Sequence, residues 1–225
     1  MEHSSSPTLA QMVLEDPACA DVFQHHRLDF CCAGHRTLEA ACAAQGIEVA
    51  RVRADLEAAK RDGSVGPSSD PRRLSTPALL ALIVSKHHDY LRRALPAAVA
   101  LSGKVARVHG GRQPKLLELA AAVGELADTL EPHLDEEEES LFPALEEGRA
   151  ARADLSHMLD EHLAVAVMLD RIHDASDGFA APSWGCASYR ALAGQLRALD
   201  ADVREHVHLE NHVLLPRFVP GSPQA

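Results

Sequence analysis

Two segments of the chain repeat one arrangement of possible metal donors. His133-Leu-Asp-Glu-Glu137-Glu-Glu-Ser-Leu141-Phe142-Pro143 and His206-Val-His-Leu-Glu210-Asn-His-Val-Leu214-Leu215-Pro216 both read His-x3-Glu-x3-Leu-apolar-Pro. On a helix, residues four apart project from one face on successive turns. Each segment therefore offers an imidazole and a carboxylate to a common point, a two-ligand half-site. One such pair alone is ordinarily a surface pair worth about a few tenths of a kcal/mol to its helix. Recurrence with the same Leu and Pro tail separates these two from that reading.

Completion of the half-sites needs donors from other helices. His88, in Lys86-His87-His88-Asp89, and His162, in Asp160-Glu161-His162, are placed to supply them: His88 precedes His133 by 45 residues and His162 precedes His206 by 44. Four histidines and two glutamates at one level of a helical core give nitrogen and oxygen donors, with both carboxylates able to bridge. That set suits two transition-metal ions about 3.5 to 4 Å apart, most naturally non-haem iron, with an oxo or hydroxo bridge and positions open to a small molecule. Histidine dominates, unlike the Glu-x-x-His pattern of ferritin-like bundles, so the set is closer to a hemerythrin. Glu136, Glu138 and Glu139 read as a solvated face. His109, His157, His208 and His212 are weaker candidates. His109 lies nearly six turns beyond His88 and suits a distal polar role or helix C-terminal charge as well as ligation, while His208 and His212 flank Glu210 by two residues and should face away from it.

The elements that position these donors follow from periodicity. Ser75-Thr76-Pro77 opens a helix whose Leu79, Leu80, Ile83 and Val84 share a stripe and which runs to about His109, with Gly110-Gly111 as its stop. A second begins near Gln113-Pro114, carries Leu116, Leu119, Val123, Leu126 and Leu130, and ends by Pro143 and Gly148; Pro132 within it predicts at most a kink. A third spans about Ala151 to Asp174 and a fourth about Ala187 to Leu215. The stretch from His88 to His109 rises about 31 Å and that from Pro114 to His133 about 28 Å, so the two donors return to nearly one depth. The expected class is all-α, an antiparallel four-helix bundle preceded by a small helical domain. The expected division is 1–62, a Ser/Gly/Pro/Asp-rich linker 63–74, and the bundle 75–225.

In the amino-terminal part, short helices break at Pro17, Ala33-Gly34 and Gly46. Asp29-Phe30-Cys31-Cys32-Ala33-Gly34 places two adjacent thiols in a turn, with Thr37 capping the next helix. His25, His26, Arg27, His35 and Arg36 flank them and would favour thiolate over thiol, so Cys31 and Cys32 read as reactive. They could accept iron in transit, hold nitric oxide as a nitrosothiol, or shield the bundle mouth. Cys19, Cys42 and Cys186 stand among alanines or small residues and read as packing.

Composition narrows the functional classes. The 225 residues carry 22 Lys plus Arg against 33 Asp plus Glu, a formal charge of −11, which disfavours nucleic acid and anionic lipid as partners. The longest apolar stretch, around Pro77 to Val84, is far short of the roughly 18 residues of a membrane span. The polar start predicts a soluble protein without an export signal. Five cysteines, an odd number in a chain that needs no staples, predict reduced thiols in the cytoplasm. Aromatics at 4% and abundant Ala and Leu fit helices, and 14 histidines are the outlier.

With these residues in view, the chain resembles the iron–sulfur cluster repair di-iron proteins, the repair of iron centres family. The likeness covers nearly the whole chain: Asp-Phe-Cys-Cys and Arg-Thr-Leu in an amino-terminal module, then a hemerythrin-like domain with His-Leu-Glu-Asn before a Leu-x-Pro-Arg ending. The resemblance implies ligands at His88, His133, Glu137, His162, His206 and Glu210, with the glutamates as bridges. It also implies a bacterial cytoplasmic homodimer induced by nitrosative or oxidative stress, whose two irons help restore damaged clusters in other proteins and react with nitric oxide. Reduction of nitric oxide at the di-iron pair, or an oxygen- or redox-sensing binding module, are the alternative activities. The family pattern is departed from at Ala33, where glycine is expected, at His35 and at Leu215.

Overall fold

The fold is described from a computed structural model covering residues 6–62 and 70–218. The polar start through residue 5 and residues 63–69 of the expected linker lie outside the described residues. Two compact units divide the chain: Met1–Ser75 with Arg204–Ala225, and Thr76–Val203.

The second unit is built from four rods. The first comprises α5 (Thr76–Ile83), a wide π turn at Val84–His88, and α6 (Asp89–His109). Ser85 turns its hydroxyl back on the Ala81 carbonyl at 2.7 Å. Such back-bonding competes with the helical ladder and bends it, a local cause for the wide turn. The second rod is α7 (Lys115–Glu136), a π turn at Glu137–Leu141, and α8 (Phe142–Glu146). α9 (Arg152–Ala175) and α10 (Ala187–Leu209, entering the other unit after Val203) complete the set. Short connections make successive rods antiparallel, and α6 packs on α7 and α7 on α9. The stripe Leu116, Leu119, Val123, Leu126 and Leu130 is buried along α7, each leucine contributing about 1.5 to 3 kcal/mol by leaving water. Gln195 donates to the Ala94 carbonyl at 3.4 Å, and His87, fully buried, meets Asp202 at 3.0 Å. The four-helix bundle expected from periodicity is the observed architecture, and α7 continues through Pro132.

The other unit begins with α1 (Leu9–Glu15), α2 (Ala18–His25), α3 (Leu38–Gln45) and α4 (Val49–Asp62). Thr8 closes a capping box with Gln11, and Thr37 caps α3 through Ala40. The two entry points lie side by side: Leu9 and Ala10 donate their N–H groups to the carbonyls of Arg36 and Gly34, both at 2.9 Å. The core gathers Leu9, Phe23, Phe30, Cys42, Val52 and Leu56.

Residues 204–218 belong to this unit rather than to the bundle, unlike the 75–225 division read from the sequence. The physical reason is a set of side-chain bonds to the cysteine turn: His208 donates to the Phe30 carbonyl at 3.3 Å, and Asn211 and His212 to the Cys31 carbonyl at 3.0 and 2.9 Å. Burial is the first cause holding both imidazoles below their usual range, His208 down to about 3, with the neighbouring His212 adding to that shift. No helix among the described residues is long and apolar enough to cross a membrane.

Gly34 is where this packing is tightest. A Cβ there would stand 2.2 Å from the Phe30 carbonyl oxygen, 2.6 Å from His212 Nε2 and 2.9 Å from Ala10 Cβ. Gly34→Ala is therefore expected to destabilise the protein by about 1 to 3 kcal/mol. Urea unfolding monitored by circular dichroism checks this, and an unchanged midpoint would contradict the packing.

Candidate metal centre

The two repeats adopt one backbone form. In each, the glutamate starts a π turn: the Phe142 N–H reaches back to the Glu137 carbonyl, and the Leu215 N–H to the Glu210 carbonyl. Pro143 and Pro216 stand two residues past these turns. Having no N–H, each removes one helical bond, to Glu139 and His212 respectively, which lets the preceding turn open. The shared Pro of the motif thus has a structural reason, and His88 closes the third such turn.

Glu137 is placed between two imidazoles, with Oε2 at 3.4 Å from His88 Nε2 and Oε1 at 3.4 Å from His133 Nε2. Donors about 2.1 Å from one metal stand roughly 3.0 to 3.4 Å apart, so each carboxylate oxygen faces one imidazole at a ligand–ligand distance. The His133 and His162 rings meet edge to face with centroids 5.3 Å apart. On the second repeat, His206 Nε2 lies 2.9 Å from Glu210 Oε1.

The six expected donors fall into two overlapping sets, His88, Glu137, His206 and Glu210, and His133, Glu137, His162 and Glu210. Within each set the ligand atoms lie within 4.8 Å of one another. Glu137 and Glu210 are common to both. All six side chains are buried, His133 being the most accessible at 4%. Imidazole and carboxylate donors with two shared carboxylates fit a pair of transition-metal ions, because cations at those points would neutralise carboxylates removed from water.

The outer ring nitrogens are held by carboxylates that sequence reasoning left to solvent or passed over. Glu138 accepts from His88 Nδ1 and from Arg92 Nη2, each at 2.9 Å. Burial pushes the Glu138 carboxyl up, but these two bonds outweigh it and hold the group below the usual carboxylate range. Glu138 is thus no part of a solvated face, whereas Glu136 and Glu139 are exposed. Glu161 holds His133 Nδ1 at 3.0 Å in the same manner and also meets the exposed His157 at 3.6 Å. With Nδ1 engaged outward, Nε2 of His88 and His133 is left for the interior. The signal was present, since each carboxylate is adjacent in sequence to a donor, Glu138 to Glu137 and Glu161 to His162.

The cysteine expectations change in two ways. Cys31 is buried, and a hydrogen bond with Cys32, then burial, then Asp29 push its thiol well above the ordinary value, so the predicted bias toward thiolate does not hold for it. Of the expected activating cations, His26 is turned to Asp55 at 2.7 Å, while His35 and Arg36 are exposed. Cys19 and Cys42 are buried as packing residues, and burial foremost lifts Cys19 to about 11. Cys186 is instead exposed at the start of α10, and His109 Nε2 stands 3.2 Å from its sulfur beside Trp184 and Tyr189. The imidazole first, then the N–H groups of Tyr189 and Ser188, bring Cys186 down to about 7. His109 therefore serves this thiol and is absent from the donor sets.

Alkylation of Cys186 by iodoacetamide, followed by peptide mass spectrometry, should reach half its maximal rate near pH 7, below the other four cysteines. His109→Ala should move that midpoint up toward the ordinary thiol value of about 8.5. A midpoint indifferent to His109 would contradict the pairing.

Comparison with known proteins agrees with this geometry. Residues 81–218, which include all six donors, match the hemerythrin HHE cation binding domain, and residues 5–60 match a domain of unknown function (DUF542). The iron–sulfur cluster repair protein YtfE of Yersinia pseudotuberculosis (serotype O:1b, strain IP 31758) is 32% identical over 217 residues, 96% of this chain and 97% of that one. The protein of the same name from Yersinia pestis shows the same identity and coverage. An amino-terminal module followed by a buried His/Glu set on a four-helix bundle is thus shared along nearly the full length, and the chain belongs to the hemerythrin-like iron–sulfur cluster repair family.

Proposed function

We propose that this protein holds two non-haem iron ions on the His/Glu set and helps rebuild iron–sulfur clusters damaged by nitrosative or oxidative stress by giving up iron to client proteins. One observation carries the reading: two donor sets share Glu137 and Glu210 in a member of the repair family. Bound there, a bridged iron pair supplies Lewis acidity, one-electron exchange and positions open to nitric oxide or oxygen.

The chain's own residues account for retention and release. His88, His133, His162 and His206 are terminal donors, while each shared carboxylate serves both sets. Protonation of Glu137 or Glu210 at a carboxylate oxygen, or rotation of the group, withdraws a donor from both sets at once. Glu138 and Glu161 oppose this by fixing the rings of His88 and His133. A half-open cavity of about 500 Å³, lined by His133, Glu137, Met158, His157, Glu161 and Arg149 among others, gives cargo iron and small ligands a way to one side of the set.

Two further features support the expected setting. The five cysteines are unpaired, which suits a reducing cytoplasm. Leu159, Leu163 and Val167 form an exposed apolar stripe on α9, which suits the homodimer that the family resemblance implies.

Iron analysis of freshly purified protein is expected to give about two ions per chain, with His133→Leu and Glu210→Leu each losing most of the metal and the recovery of a nitric-oxide-damaged dehydratase. Full iron in both variants would refute the ligand set, and full iron without dehydratase recovery by the parent would refute the repair role. Glu138→Gln and Glu161→Gln should each weaken iron retention against a chelator by about 10- to 100-fold while the fold stays intact.

A further inference from the structure

Cys31 and Cys32 take no part in the His/Glu sets, yet their turn is ordered around a single oxygen. Asp29 Oδ1 accepts from the backbone N–H of Cys31 at 3.1 Å, from that of Cys32 at 2.8 Å, and from the Cys31 thiol at 3.2 Å. The two sulfurs are 3.8 Å apart, and the three ligand atoms of Asp29, Cys31 and Cys32 lie within 4.8 Å of one another. These are the edges of a coordination tetrahedron: two sulfurs about 2.3 Å from one ion stand roughly 3.8 Å apart, and a sulfur and a carboxylate oxygen roughly 3.5 Å.

The turn is also held from behind before anything binds. Asn211 and His212 fix the Cys31 carbonyl, His208 fixes that of Phe30, and Gly34 lets the backbone close where a Cβ would strike Phe30. Cys31 lies buried beneath, while Asp29 and Cys32 are half-buried and reachable from outside. Donors that already sit at ligand distances need little reordering, which is the preorganisation a metal site requires.

We infer that Asp29, Cys31 and Cys32 form a separate thiolate–carboxylate site for a borderline-soft divalent d-block cation, the class of zinc and ferrous iron. Two thiolates and one carboxylate leave a fourth position for water or for a donor from another molecule, the composition of an exchange site rather than a sealed structural one. Binding forms two metal–sulfur bonds and one metal–oxygen bond and releases both thiol protons to the buffer. No electron is transferred.

Cobalt(II) added to the iron-loaded full chain tests this, because thiolate-to-cobalt charge transfer in the near ultraviolet cannot arise from imidazole or carboxylate donors. A band saturating at about one cobalt per chain is expected. Cys32→Ser should abolish it, Asp29→Asn should weaken binding at least about tenfold by loss of an anionic donor, and Cys186→Ser should leave it intact. Iron content in the same samples should be unchanged in all three variants. No thiolate band at saturating cobalt, a full band in Cys32→Ser, or its loss in Cys186→Ser would each overturn the site. Because iron on the His/Glu set is read separately, failure of that set and failure of this one are distinguishable.

Discussion

Two carboxylates, Glu137 and Glu210, are withdrawn from water almost completely among four buried imidazoles. An ionised carboxylate in a poorly polarisable interior costs several kcal/mol unless opposite charge comes close, and two such groups repel besides. Neutral imidazoles cannot supply that charge, whereas a pair of cations shared between both carboxylates can. Much of the rest follows from this requirement. The donors sit on long rods because only rods with buried leucine stripes keep six side chains in place at one depth. The outer ring nitrogens are tied to Glu138 and Glu161 because an imidazole free to rotate would lose its direction toward the interior.

The repeated motif shows how sequence reaches that geometry through backbone as well as side chains. An uninterrupted α-helix would present His and Glu four apart on one face and then continue unchanged. Pro143 and Pro216 prevent continuation, and the turns in front of them open into i to i−5 bonds that begin at the glutamates themselves. A wider turn changes the direction of everything after it by roughly one residue's rotation. Phe142 thereby stacks on the His88 ring, with centroids 5.7 Å apart, sealing one side of an imidazole whose other contacts are polar.

Which side chains converge was legible in the sequence because the information was local and repeated: a period of four within each motif, and matched separations between the rods. The four-helix bundle was legible for the same reason. Glu138 was misread since alternation alone places a run of four glutamates toward water, and only the position of His88 on another rod gives one of them a partner. Cys186 was misread because its partner His109 is 77 residues away, so nothing near it in the chain distinguishes it from a packing residue. The thiolate expectation for Cys31 counted cations by proximity in sequence. In three dimensions His26 is spent on Asp55, and the group nearest the thiol is the carboxylate of Asp29.

The segment that follows His206 carries two duties within one turn. Glu210 opens the π turn and offers its carboxylate to the His/Glu sets, and the next two residues, Asn211 and His212, hold the Cys31 carbonyl. Neither duty can move alone: five residues closed by one i to i−5 bond behave as a rigid unit, so a displacement of Glu210 is a displacement of the support beneath the cysteine turn. The Asn and the second His of His-x-His-x-Glu-Asn-His thus have a physical role separate from ligation. They fix the orientation of a peptide that lies nearly the full length of the chain away, and a change of charge or occupancy at Glu210 acts on Cys31 through two hydrogen bonds.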